Sequence, residues 1–259
     1  MTKAENHGLK SKLSKIDTFP KPLIIVSATI SLYFVAQFIA SLVLIGIVKF
    51  NGWQEVDYQN WLKASAFPQF IFVVLSDMFM LLGVWLFLRK RKISFKKIGL
   101  SKPKLKDIWL ALSGYLVYML MFVAITFIAK VVFPSLDMNQ QQEIGFEANK
   151  GIINLAMAFI SLVVLPPIVE ETLVRGYLFT GLRKSMKFIS ALIITSLVFG
   201  SAHLQFGNNA PLLWVAFLDT FALSVVLVYL REKTGRLAAP MLLHCFKNLI
   251  AFSLLFLFI

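Results

Sequence analysis

Three apolar stretches of this 259-residue chain carry side chains that a hydrocarbon medium disfavours. The first holds Glu170, Glu171 and Arg175; the second ends on His203; the third carries His244 and Asn248. Ionisable groups inside a bilayer are costly and usually face a cavity or a partner. Two of the chain's three histidines belong to this set, and the third, His7, lies in a polar N-terminal tail. Spacing sorts the set further. Glu171 and Arg175 are i,i+4 on a helix, so they share a face and can pair. Glu170 sits roughly 100° round from Glu171 and is free to point elsewhere. Phe199 and His203 repeat the i,i+4 step, as do His244 and Asn248.

A carboxylate and an imidazole can hold one water between them, and the carboxylate can take its proton. A second imidazole and an amide N–H can donate to the oxyanion of a tetrahedral intermediate. Glu170, His203, His244 and Asn248 are therefore the catalytic set expected for peptide hydrolysis without a nucleophilic side chain, with Glu171 and Arg175 as a supporting ion pair. Each residue also has a plainer reading. The pair can be structural, and a membrane histidine can simply hydrogen-bond two helices. The weight lies in the joint pattern on three stretches. A metal is the chemical alternative: Glu170, His203 and His244 supply the two histidines and one carboxylate of a known zinc set, although no His-Glu-x-x-His is present. The expectation is that no cofactor is required, with zinc as the alternative.

Cys245 is the single cysteine and excludes an internal disulfide. Next to His244, it points roughly 100° away on a helix and is read as a small apolar packing residue. Asp77, Asp219 and Lys247 remain. A lysine near the membrane midplane must pair or reach water, so Lys247 is expected to pair with Asp219 or Asp77. A proton or ion path, hence a transporter, is the other reading of these three.

The elements that must position these groups are membrane spans. The chain is 58% hydrophobic and 15% charged, against about 45–50% and 25% for soluble domains. Apolar runs long enough to cross a bilayer recur from residue 23 onward, each needing roughly 20 residues. Seven crossings are expected, at about 23–48, 67–88, 108–133, 151–183, 188–207, 211–230 and 237–259. Pro166 and Pro167 interrupt the fourth, and a full break there would give an eighth. The fold class is thus all-α, a polytopic membrane helical bundle: a tail over 1–22 and one transmembrane domain over 23–259. The first run is too long for a signal peptide and is read as an uncleaved span.

The net charge of +13 sits between the apolar runs. Every second connection is strongly basic, which is the positive-inside pattern rather than a nucleic-acid footprint. It places the N-terminus in the cytoplasm and the C-terminus outside the cell membrane. Measured from these basic edges at 1.5 Å per residue, Glu170, His203, His244 and Asn248 lie roughly 12–24 Å deep in a core roughly 30 Å thick.

The ordered motifs Glu170-Glu171-x-x-x-Arg175, Phe199-x-x-x-His203 and His244-x-x-x-Asn248 resemble those of the CPBP family, the CAAX-protease and bacteriocin-processing group also called Abi proteins. The segment from Arg231 to Arg236 is similar as well, and the likeness covers about residues 150–250. The resemblance implies an Abi-type helical intramembrane endopeptidase acting on a membrane-associated peptide or protein. It implies Glu170 as base with His203, and His244 and Asn248 as oxyanion stabilisers. Members are described both as metalloproteases and as metal-independent glutamate proteases, so both chemistries stay open. Bacteriocin self-immunity, a non-catalytic membrane role, is the alternative function.

Overall fold

The structure, a computed structural model, describes residues 19–140, 146, 151–205 and 212–256. Most of the expected 1–22 tail, and most of the uncharged connection after His203, lie outside the described residues. Those described form helices α1 (Pro22–Phe50), α2 (Glu55–Ala64), α3 (Phe67–Lys90), α4 (Leu105–Val132), α5 (Ile152–Arg183), α6 (Phe188–Ser201), α7 (Trp214–Thr234) and α8 (Ala238–Phe256), with no strand among them. Six of these, α1, α3, α4, α5, α7 and α8, are long and apolar enough to cross a membrane.

Local chemistry sets several boundaries. Proline stands in the first turn of α1 and α3, where its missing N–H costs nothing. Helix α7 stops at Gly235, whose φ of +69° is the left-handed C-cap, and its N–H returns to the Arg231 carbonyl at 3.0 Å. Arg236 then pairs with Asp107 at the start of α4, while Arg183 pairs with Glu232 at 2.8 Å and Arg231 donates to Thr180. These contacts gather the ends of α5 and α7 and the starts of α4 and α8 at one basic face of the bundle.

Two elements differ from the sequence expectation. Helix α6 has 14 residues, roughly 21 Å, so the crossing expected over 188–207 is shorter than a full span. The connection at 50–66 contains α2, which sequence periodicity left unassigned. Asp57 accepts the Gln54 backbone N–H at 2.9 Å to start it. Trp53, Trp61 and Phe67 meet edge to face beside it, the amphipathic aromatic composition of a membrane–water boundary.

Helix α5 lies in the middle and touches α1, α3, α6, α7 and α8. One apolar cluster joins α1, α3, α5 and α6 through Ile25, Val84, Leu178 and Ala191. A second joins α4, α7 and α8 through Ala111, Leu223, Leu227 and Leu243. Gly114 lets α4 approach closely, since a Cβ there would strike Leu243. The outward faces carry large apolar side chains such as Phe38, Leu116, Phe127 and Val131, which suits lipid as the surrounding solvent.

Candidate active site

The two prolines do not split α5. Proline lacks the N–H that an α-helix gives to the carbonyl four residues back. Over Ile160–Val164 the ladder widens to a π-helix, with the Leu165 N–H reaching the Ile160 carbonyl. Helical structure resumes through Leu165–Glu170 and widens again over Glu171–Phe179. The eighth crossing considered from sequence is therefore absent, because the backbone changes register instead of breaking. The Leu162 carbonyl has no helical partner. The α pattern would serve Leu162 from residue 166 and the π pattern from residue 167, and both are proline. Asn248 on α8 fills the gap, its Nδ2–H donating to the Leu162 carbonyl at 2.9 Å.

The widened turn brings its polar side chains inward. Glu171 and Arg175 are wholly buried and pair at 2.8 Å. The same Glu171 oxygen, Oε1, accepts from His244 Nδ1 at 3.0 Å. A buried charge persists only when paired and hydrogen-bonded, and the three residues satisfy this across α5 and α8. Glu170, on the neighbouring face, is 22% exposed at its side chain. Its Oε2 approaches His244 Nε2 at 3.9 Å. That gap is too long for a direct hydrogen bond, but one water can lie within reach of both atoms.

His203 follows the last turn of α6. Its Nδ1–H donates to the Phe199 carbonyl at 2.9 Å, so the neutral ring keeps its lone pair on Nε2. His244 is fixed in the same sense: with Nδ1–H given to Glu171, Nε2 is the free nitrogen, and it donates only when the ring carries a second proton.

Phe199 is the residue that sequence reasoning missed, having served there only to mark spacing. The Arg175 guanidinium lies 4.2 Å from its ring centroid. The His203 ring lies 4.8 Å away and the His244 ring stands perpendicular at 6.0 Å. One phenyl thus lies against both imidazoles and the guanidinium. Its position four residues before His203 was the available signal.

The structure brings Glu170, Glu171, Arg175 and His244 together by direct contact and joins His203 to them through Phe199. Asn248 reaches the site by way of the α5 backbone. Lys247 pairs with Asp219 at 2.9 Å, as expected. Asp77 is not part of that pair; it is buried in α3, with Oδ2 lacking a hydrogen-bond partner among the described residues. Cys245 is half-buried and unbridged. The zinc set Glu170, His203 and His244 does not fit a metal as placed: among the described residues no three His, Cys, Asp or Glu side chains group closely enough to hold one.

The fold and site define a class: a helical membrane bundle with a buried Glu–His constellation. Residues 152–250 match the family described as type II CAAX prenyl endopeptidase Rce1-like. The chain is also 34% identical over 99 residues to a 24.3 kDa protein of Escherichia coli described only as uncharacterized. That likeness covers 38% of this chain and spans 43% of the relative's length. No solved structure matches.

Proposed function

We propose that this chain is an intramembrane endopeptidase that hydrolyses a peptide bond in a membrane-associated protein or peptide. The observation that carries the reading is the approach of Glu170 Oε2 to His244 Nε2 at 3.9 Å, with His244 anchored from behind by the Glu171–Arg175 pair. A water between those two atoms gives its proton to the Glu170 carboxylate while its oxygen attacks the scissile carbonyl. The protonated Glu170 then gives that proton to the departing amine as the C–N bond breaks, and the free Nε2 of His203 accepts a hydrogen bond from the attacking water. The second N–H of Asn248, and His244 when doubly protonated, donate to the oxyanion. The match of residues 152–250 to the Rce1-like family supports the protease class. No observation favours the immunity or transporter readings.

The test uses the purified full chain in lipid nanodiscs with a library of quenched apolar peptides. The expected result is cleavage that falls at least about a hundredfold in Glu170→Gln, the size of effect a positioned general base contributes. Undiminished cleavage by that variant would overturn the assignment. No cofactor is required on this reading, so chelation leaves the rate unchanged. A loss on chelation that zinc restores would overturn the metal-free reading.

A further inference from the structure

The mechanism leaves Tyr118, Asp219 and Lys247 unused, and they line one cavity. It measures about 310 Å³, and Phe122, Val215 and Ala216 also face it. Helices α4, α7 and α8 form its walls. Gln140 stands on its rim, donating to the Leu212 carbonyl at 3.1 Å and accepting from the Val215 N–H.

On the polar wall the Tyr118 hydroxyl donates to Asp219 Oδ1, and the other oxygen, Oδ2, meets Lys247 Nζ at 2.9 Å. An ammonium has three donors, and the described residues show a partner for only one. A charge pair that merely filled the bundle would be as well served by apolar side chains. This one lies on a cavity wall, with Lys247 and Asp219 each about a fifth exposed. The rest of the lining is largely apolar.

The position relative to the catalytic groups is short. Lys247 follows His244 by three residues on α8, roughly 4.5 Å along the axis, and directly precedes Asn248. Its charge is within electrostatic range of Glu170, His203 and His244. A peptide whose scissile bond lies at Glu170 and His244 therefore has its neighbouring residues within reach of this cavity.

We propose that the cavity is a specificity subsite that holds a carboxylate of the peptide substrate on Lys247. Asp219 is the resident counter-ion that keeps the lysine charged while the subsite is empty, and Tyr118 holds Asp219 in place. The carboxylate can be the peptide's terminus or an acidic side chain; the apolar lining takes the residue that carries it. This proposal rests on the endopeptidase reading above.

The experiment measures binding of dansyl-labelled apolar peptides to full-length Glu170→Gln protein in nanodiscs, so that cleavage does not intervene. Each peptide is made with a free terminal carboxylate, with a terminal amide, and with a terminal amide plus one internal Glu. The carboxylate form, or the Glu form, is expected to bind about tenfold more tightly than the plain amide, as a charged hydrogen bond provides. Which of the two does so identifies the source. Adding Lys247→Met removes the preference, and Lys247→Arg keeps it. Adding Asp219→Asn strengthens carboxylate binding, because the lysine loses its competing partner. Equal binding of all three forms, a preference that survives Lys247→Met, or weaker carboxylate binding in Asp219→Asn would each overturn the proposal. Cleavage by the wild type is followed in parallel. Carboxylate preference without cleavage would leave the subsite and remove the endopeptidase reading. Cleavage dependent on Glu170 without carboxylate preference would remove the subsite alone.

Discussion

A single carboxylate oxygen, Oε1 of Glu171, accepts from both Arg175 and His244. The i,i+4 spacing made the first bond legible in the sequence. The second joins residues 73 positions apart, and no local pattern encodes it. Glu171 was thus expected to brace its own helix, and the structure adds that it sets the tautomer of an imidazole on another. Removing one member of a buried pair leaves the other charge uncompensated, typically at about 3–5 kcal/mol. Arg175→Met is therefore expected to destabilise the protein by about that amount, read as a fall in thermal midpoint in detergent. Glu170→Gln alters a partly exposed group outside the pair and should leave that midpoint close to wild type. A midpoint unchanged in Arg175→Met would show that the pair contributes nothing to folding.

At the scale of elements, Pro166 and Pro167 were visible in the sequence as an interruption, but their consequence was not. Whether a helix breaks or widens depends on what meets its orphaned carbonyls, and that partner comes from elsewhere in the fold. Asn248 is such a partner for Leu162, so its amide serves α5 as well as the reaction assigned to it. The coupling can be isolated. Asn248→Leu leaves the Leu162 carbonyl unmet and should lower stability by about 1–3 kcal/mol. Replacing Pro166 with alanine supplies a backbone N–H four residues from that carbonyl. In the Pro166→Ala background the penalty of Asn248→Leu should shrink by about 1 kcal/mol or more, a departure from additivity expected of groups sharing one partner. Strictly additive effects in this double-mutant cycle would show that Asn248 does not stabilise the widened turn. Activity separates the two roles: lost peptide cleavage in the double variant, with stability recovered, would leave the oxyanion role as the remaining cause.

For the whole molecule, hydropathy and charge alternation outlined the bundle and the order of its spans, because both follow from the solvent and not from specific contacts. The weak place is α6. With 14 helical residues it covers roughly 21 Å of a core roughly 30 Å thick. If it carries the chain across, there are seven crossings and the two termini lie on opposite sides. If it turns back, there are six and the termini share a side. Two features favour passage. Helix α6 packs along α7, a full-length apolar helix that runs back to the basic face. The residues beyond its last turn are also tied to protein, with the Leu213 N–H bonded to the Leu204 carbonyl at 3.0 Å and Leu204 and Leu213 buried. Irregular backbone at membrane depth is tolerated where protein covers it, so a short helix with Leu204 and Leu213 buried beyond it can complete the crossing. With seven crossings, the basic connections predict a cytoplasmic N-terminus and a C-terminus outside. A reporter enzyme active only outside the cytoplasm should be active when fused after residue 259 and inactive when fused before residue 1. Activity of neither fusion, or of both, would place the termini together and make α6 a re-entrant element, bringing His203 to the catalytic group from a helix that enters and leaves on one side.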